Sequence, residues 1–168
     1  MQHNRGQYKV LWIEDESIDL ARQAAAVYSQ VIYRMRIAHT ATEAVAILDT
    51  AKDIQYDAII VDMRLEPGED ERWQQLSRQR TRHGRRVLLG QELTYSLLGH
   101  EKARVRLNPG PLIEARQLGF MTIEPARELL PFMKQIGLAE EFKQRYVNKT
   151  DALPHDALLQ LIRYIIQQ

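Results

Sequence analysis

Short runs of apolar residues, separated by longer segments with helical spacing of apolar positions, dominate the pattern of this chain. The run at 58–61, AIIV, contains three β-branched residues in a row and ends at Asp62. An uninterrupted run of this kind is typical of a strand that is buried on both faces, as in parallel sheets covered by helices. We predict four further strands, at 9–13, 33–39, 118–123 and 142–148.

The segments between these strands carry apolar residues three or four positions apart, which indicates amphipathic helices. The first half of the chain reads strand, helix, strand, helix, strand. This alternation favours right-handed crossovers and a parallel sheet. We therefore predict an α/β fold: a doubly wound sheet of five parallel strands with helices on both faces.

The middle of the chain, 66–117, has a less regular pattern. A polar stretch at 69–79 is compatible with a helix, and Trp73 and Leu76 form its small apolar stripe. A large aromatic residue with so few apolar neighbours is either an anchor for a partner protein or part of a lid packed on the domain.

A strongly basic stretch follows at 78–86, RQRTRHGRR. We predict an exposed loop there, which is simply solvated, a docking patch for a partner or a contact for a phosphate backbone. Leucines recurring at every fourth position favour a helix over 87–98, ended by Gly99. The alternative is a strand at 87–89, which would then be the fourth strand of the sheet.

Composition and charge restrict the classes of protein to consider. The chain has 168 residues, a net charge of +1 and no cysteine. This length fits a single domain over 1–168, and the charge gives no reason to expect a nucleic acid partner. The polar segment 1–7, which we expect to be flexible, lacks the apolar core of a secretory signal, and no apolar run is long enough to span a membrane. We expect a cytoplasmic location and no membrane partner.

Polar side chains that could bind a metal or take part in a reaction lie at the ends of the predicted strands. Glu14 and Asp15 follow the first strand, Asp62 the third and Lys149 the fifth, while Thr122 lies near the end of the fourth. Because the carboxyl ends of parallel strands meet at one edge of a sheet, we expect these side chains to lie close together.

Three neighbouring carboxylates repel one another by on the order of a few kcal/mol per contact. A divalent cation or a lysine relieves this repulsion, as does protonation of one member. Oxygen ligands without His or Cys favour Mg²⁺ over zinc. A metal, a lysine and a hydroxyl around one carboxylate suit phosphoryl transfer, in which the carboxylate attacks phosphorus. The simpler alternative is that Asp62 only terminates its strand or caps the next element.

Three segments together resemble a response-regulator receiver domain of two-component signalling: KVLWIEDE at 9–16, YDAIIVDMRLEPG at 56–68 and YVNKT at 146–150. The resemblance implies the flavodoxin-like receiver fold. It also implies that Asp62 accepts a phosphoryl group, and that Mg²⁺ is the metal held there.

The same resemblance assigns a role to each polar residue at the strand ends. It implies that Mg²⁺ is bound by the carboxylates of Asp15 and Asp62 and by the Arg64 carbonyl, with Glu14 completing the metal site through a water molecule. It implies that Thr122 and Lys149 contact the phosphoryl oxygens and that Tyr146 is a rotameric switch. If the fourth strand were at 87–89, Thr94 or Ser96 would have to supply the hydroxyl instead.

The chain also departs from the pattern of that family. Lys149 lies 87 positions after Asp62, which is well above the usual spacing. We therefore expect an inserted region at 66–117 that includes a long third helix. Thr150 stands where a proline usually follows the lysine, which puts the cis peptide bond common there in doubt.

The expected function is that of a stand-alone receiver that accepts phosphate on Asp62 in a Mg²⁺-dependent phosphorelay. The implied partners are a histidine kinase or histidine phosphotransfer protein, a downstream protein and a second copy of the chain in a homodimer. Its only enzymatic activity would be on its own phosphoryl group. The main alternative is a pseudo-receiver that binds proteins without phosphorylation. A metal-dependent phosphatase is less well supported, because Arg64 stands where a second catalytic acid would be needed.

Overall fold

Five strands form one parallel sheet in the order β2-β1-β3-β4-β5. The structure is a computed structural model, and it describes residues 7–15, 21–50, 55–108, 110 and 112–168. The strands are β1 Tyr8–Ile13, β2 Tyr33–Ala38, β3 Ala58–Val61, β4 Leu118–Thr122 and β5 Tyr146–Asn148. The α-helices of the described residues are α1 Ala21–Tyr28, α2 Ala41–Thr50, α3 Glu71–Arg78, α4 Leu89–Leu98, α5 Ala126–Gln135, α6 Phe142–Arg145 and α7 Ala157–Ile166.

Alternate residues of the central strands point to opposite faces of the sheet, and each face is covered by helices. Leu11 and Ile59 belong to the apolar core beneath α2, α3, α4 and α5. Val10 and Ile60 belong to the core beneath α1 and α7. The predicted fold class, a doubly wound five-stranded parallel sheet with helices on both faces, is confirmed.

The third strand explains this arrangement best. All four residues of β3 are buried, and β3 pairs in parallel with β1 on one side and β4 on the other. A strand in this position has no exposed face or edge, which is the reason for its continuous apolar sequence. It also places its carboxyl end, at Asp62, in the middle of the sheet edge.

The 66–117 region contains two separate helices and not one long helix. Between α3 and α4, an exposed turn closes through an antiparallel bridge from Arg80 to Arg86. All residues from 78 to 86 are exposed, which confirms the predicted basic loop. A right-handed helix does not continue through this stretch, because Gly84 takes a left-handed conformation with a φ of 75°.

The alternative fourth strand at 87–89 is wrong, because α4 begins at Leu89 and β4 lies at Leu118–Thr122. Leu93 and Leu97 are fully buried, so burial of one leucine stripe outweighs the β-propensity of the short apolar run. The helix ends where predicted, at Gly99, whose φ of 64° few other residues adopt without strain.

Trp73 is fully buried in the core that includes α4 and α5. It therefore holds α3 on the domain and is not an exposed anchor for a partner. The predicted flexible N-terminus lies mostly outside the described residues, which begin at Gln7. None of the described helices is both long enough and apolar enough to cross a membrane.

Candidate acidic site at the strand ends

Backbone hydrogen bonds between neighbouring strands bring the acidic residues together. The Asp62 N–H donates to the Ile13 carbonyl at 3.0 Å, so the residue after β3 lies beside the residue after β1. Carboxylate oxygens of Glu14, Asp15 and Asp62 all lie within 4.8 Å of one another. The predicted convergence of these three carboxylates is thus observed.

Lys149, which directly follows the edge strand β5, also lies in this cluster. Its Nζ lies 2.7 Å from Asp62 Oδ2 and 2.6 Å from Glu14 Oε2. Only 10% of the lysine side chain is exposed, and Glu14 and Asp62 are almost completely buried. One ammonium group therefore neutralises part of the repulsion between two buried carboxylates.

The charge of this lysine is stabilised by its surroundings. Burial on its own would lower the pKa of Lys149, but the neighbouring carboxylates of Asp62 and Glu14 outweigh it, and the pKa of the lysine is raised. Lys149 is therefore a cation throughout the physiological pH range.

Thr122 is fully buried at the end of β4. The backbone N–H of Lys149 donates to the Thr122 carbonyl at 2.9 Å. The Thr122 Oγ1 accepts from the Glu124 N–H at 3.3 Å. The other two candidate hydroxyls do not reach the cluster. Thr94 and Ser96 donate instead to carbonyls of their own helix, at Gly90 and Glu92.

A salt bridge links the loops that follow β3 and β4. Arg64 Nε lies 2.5 Å from Glu124 Oε1, with 61% of the arginine side chain and 10% of the glutamate side chain exposed. The Arg64 N–H also donates to Asp62 Oδ1 at 3.2 Å. Arg64 thus contacts both the central carboxylate and the loop after the neighbouring strand.

Tyr146 bonds to that same loop. Its hydroxyl donates to the Glu124 carbonyl at 2.6 Å and accepts from Asn148 Nδ2 at 2.9 Å. Burial raises the pKa of Tyr146; the hydrogen bond from Asn148 opposes this, while the Asp151 and Glu124 carboxylates add to it. The phenol is consequently held neutral and able to donate. The ring also stacks on Phe142, with 4.9 Å between ring centroids.

The donors in this cluster suit a hard divalent cation. Glu14, Asp15 and Asp62 offer only carboxylate oxygens, which are ligands that Mg²⁺ accepts and that zinc does not prefer. Lys149 pairs with two of these three carboxylates, so the repulsion within the cluster is only partly relieved. A bound cation would reduce the remaining repulsion, so the residues present fit Mg²⁺.

The sequence pattern brought out the five strand-end residues and missed two others. Glu124 follows Thr122 by two positions, and an acidic residue just after a strand was its only signal. Gly90, whose N–H donates to the Met63 carbonyl at 3.0 Å, gave no signal at all, because a glycine near a helix start is ordinary. The contact of Glu124 depends on how two loops meet in space, and that of Gly90 on how a loop meets the start of α4.

Comparisons with known proteins support the fold but give no sequence family. No protein-family model matches the chain, and no curated protein matches it either. Solved structures do match it over almost its whole length.

Three of these similar structures are receiver domains. A receiver domain of a response regulator (CheY-like) from Methanospirillum hungatei has 18% identity and a TM-score of 0.57, covering 96% of this chain and 95% of its own. The signal receiver domain of an HD domain-containing protein from Pseudomonas fluorescens has 17% identity and a TM-score of 0.59, covering 99% and 91%. The HemR receiver domain from Leptospira biflexa has 19% identity and a TM-score of 0.55, covering 96% of each. The chain therefore has the fold of the response-regulator receiver domains.

Proposed function

We propose that this protein is a response-regulator receiver that accepts a phosphoryl group on Asp62 in a Mg²⁺-dependent phosphorelay. The observation that carries the proposal is the contact of Lys149 with both Asp62 and Glu14 at the carboxyl ends of three parallel strands. An isolated capping aspartate has no need of a buried cation or of two further carboxylates. The receiver fold of the similar structures supports the same interpretation.

The proposed reaction is a transfer from histidine to aspartate. An Asp62 oxygen attacks the phosphorus of a phosphohistidine, an O–P bond forms, and the P–N bond breaks. The electron pair of that bond returns to the imidazole nitrogen of the donor, which is a histidine kinase or a histidine phosphotransfer protein. Mg²⁺, held by Glu14, Asp15, Asp62 and the Arg64 carbonyl, would supply positive charge for the incoming phosphoryl oxygens.

The residues around Asp62 would then detect the new charge. Lys149 exchanges its contact with the Asp62 carboxylate for one with a phosphoryl oxygen, and the Thr122 hydroxyl donates to another. Thr122 now accepts from the Glu124 N–H, so its reorientation moves the loop that Tyr146 holds. The surface of α5, β5 and α7 changes in consequence, and a downstream protein or a second copy of the chain binds there.

One observation favours a second candidate function, a pseudo-receiver that acts as a docking module without phosphorylation. Asp62 is only 3% exposed, and Lys149 already occupies one of its oxygens. A donor can reach Asp62 only if the lysine and the surrounding loops yield. If they do not, the carboxylate cluster is purely structural.

The two functions differ in one measurement. The protein is incubated with Mg²⁺ and phosphoramidate, and its intact mass is followed. We expect a gain of one phosphoryl group that is abolished by Asp62→Asn and by chelation of Mg²⁺. A matched control is Asp57→Asn, which changes an exposed aspartate at the opposite end of the same strand and should leave the gain intact.

Failure to gain mass, together with no change in tryptophan fluorescence on addition of Mg²⁺, would contradict the receiver and support the docking module. A gain that survives Asp62→Asn would place the modification elsewhere and contradict both assignments for Asp62.

A further inference from the structure

Helix α4 begins in direct contact with the backbone that carries Asp62. The Gly90 N–H donates to the Met63 carbonyl at 3.0 Å. A methyl group added at Gly90 would lie 1.9 Å from the Asp62 carbonyl oxygen and 2.7 Å from the Met63 Cα. Real side chains do not approach a backbone this closely, so only glycine permits the contact.

The side of this contact that would have to move is the loop after β3. Eight of the ten residues of α4 are buried, and Leu89, Leu93 and Leu97 fix the helix in the core. Residues 62–70 include no regular helix or strand. An added methyl group would therefore displace the Asp62–Arg64 backbone more readily than the helix.

The same contact closes a long excursion of the chain. Met63 and Gly90 are hydrogen bonded, so the segment 64–89, with α3 and the exposed basic turn, leaves the sheet edge and returns to it. Arg85 of that turn pairs with Glu128 of α5 at 2.9 Å. The two ends of the excursion thus meet beside Asp62, and its exposed turn is tied to α5.

We infer that Gly90 is a positioning residue for the phosphoacceptor: its lack of a side chain lets α4 hold the Asp62–Arg64 backbone against the acidic cluster. This inference rests on the proposed function of Asp62. The backbone that Gly90 touches carries both the attacking carboxylate and the Arg64 carbonyl. Displacement of this backbone alters phosphoryl transfer and cation binding together, whereas a loss of core packing alone does not.

The test compares Gly90→Ala with two buried control substitutions. Leu93→Ala removes core volume from the same helix, three residues after Gly90, and adds no atom near the backbone of Asp62. Gly119→Ala adds a methyl group in β4 whose three nearest atoms are all side-chain ends, at 2.7 Å from Ile165, 3.0 Å from Leu161 and 3.1 Å from Ile60. Each variant is assayed at a temperature where circular dichroism shows it to be folded, for Mg²⁺ affinity by calorimetry and for the initial rate of phosphoryl uptake from phosphoramidate.

We expect Gly90→Ala to lose on the order of ten- to a hundredfold in the rate of phosphoryl uptake, the scale of loss for a misplaced reacting group, and to bind Mg²⁺ more weakly. The two controls should remain within about twofold of the wild type once the folded fraction is matched. Equal rates and affinities in Gly90→Ala and the wild type would overturn the inference and leave the proposed function standing. A wild type that neither binds Mg²⁺ nor takes up phosphate would overturn both.

Hydrogen exchange in the wild-type protein provides a measurement that does not depend on the folding of a variant. We expect Mg²⁺ to slow exchange of the Gly90 N–H, which bonds to the loop, more than that of the Gly99 N–H at the other end of α4, which bonds to Ser96 and Tyr95. An unchanged Gly90 amide in a protein that does bind Mg²⁺ would overturn the inference.

Discussion

At the scale of single residues, Lys149 determines how the acidic cluster is tolerated. It contacts Asp62 and Glu14 within 2.7 Å, and all three side chains are largely buried. Breaking a buried ion pair by removal of one partner leaves an uncompensated charge, which is more costly than the loss of the contact itself. The lysine therefore has a structural role in addition to the proposed contact with a phosphoryl group.

Lys149→Met should lower the free energy of unfolding at pH 7 by about 3–5 kcal/mol, the range for an orphaned buried charge. Urea unfolding measures this change, and Lys134→Met, at an exposed position on α5, is the matched control with little expected effect. Mg²⁺ should restore part of the lost stability in Lys149→Met, because a cation replaces the missing ammonium group. An equal effect of both substitutions would contradict the assigned role of Lys149.

The pH dependence of this difference follows from the raised pKa of Lys149. The stabilisation is present in full at pH values below the pKa of a lysine in the unfolded chain, about 10.4, and it is lost as the pH rises through the higher pKa of the folded state. The stability gap between the wild type and Lys149→Met should therefore stay constant from pH 7 to about pH 10 and narrow only above that. A gap that closes near neutral pH would contradict this account.

At the scale of elements, the salt bridge between Arg64 and Glu124 joins the loop after β3 to the loop after β4. The second loop also accepts the Tyr146 hydroxyl through the Glu124 carbonyl. One polar pathway thus runs from the central carboxylate to the aromatic residue on β5. Its strength determines how tightly a change at Asp62 is linked to Tyr146.

A double-mutant cycle on Arg64→Ala and Glu124→Ala measures that strength. We expect a coupling of up to about 1 kcal/mol, because the arginine is mostly exposed, and it should fall as salt is added. The more exposed pair Arg116–Glu114 serves as a control with a smaller expected coupling. Zero coupling between Arg64 and Glu124 at low salt would show that the two loops are not linked through these side chains.

Most strands and helices could be predicted from the residue pattern, but the contacts between them could not. The apolar runs located β1, β3 and β4 because burial on both faces leaves a clear signal in the residue pattern. The last strand was expected within 142–148, around Tyr146 and Val147, where β5 does lie, but the stretch before Tyr146 is the short helix α6. Four helical residues do not produce a period that can be distinguished from the start of a strand.

The candidate site shows the same division. Glu14, Asp15, Asp62 and Lys149 could be predicted because parallel strands align their carboxyl ends. Glu124 and Gly90 could not, since their importance lies in distances of a few ångströms, between two loops for Glu124 and between a loop and the start of α4 for Gly90. The sequence could not exclude Thr94 or Ser96 as the source of the hydroxyl group, but the structure does, because both are buried within α4.

At the scale of the whole molecule, the sheet order β2-β1-β3-β4-β5 places the end of β3 between the ends of β1 and β4. The carboxylates of the site therefore lie at the ends of β1 and β3, the Thr122 hydroxyl at the end of β4 and Lys149 at the end of β5. Structural similarity covers nearly the whole chain at 17–19% identity. Chains with little sequence identity to this one thus have the same fold, and the proposed chemistry depends on the few residues at this one edge.

The most direct test of the central proposal is to trap the phosphorylated residue in the wild-type protein. After incubation with phosphoramidate and Mg²⁺, borohydride reduces an acyl phosphate on aspartate to homoserine, and tandem mass spectrometry locates the change in the sequence. We predict homoserine at position 62 and no conversion of Asp15, Asp57 or Glu14. Conversion at another residue, or none in a protein shown to be folded, would contradict the proposal that Asp62 is the phosphoacceptor.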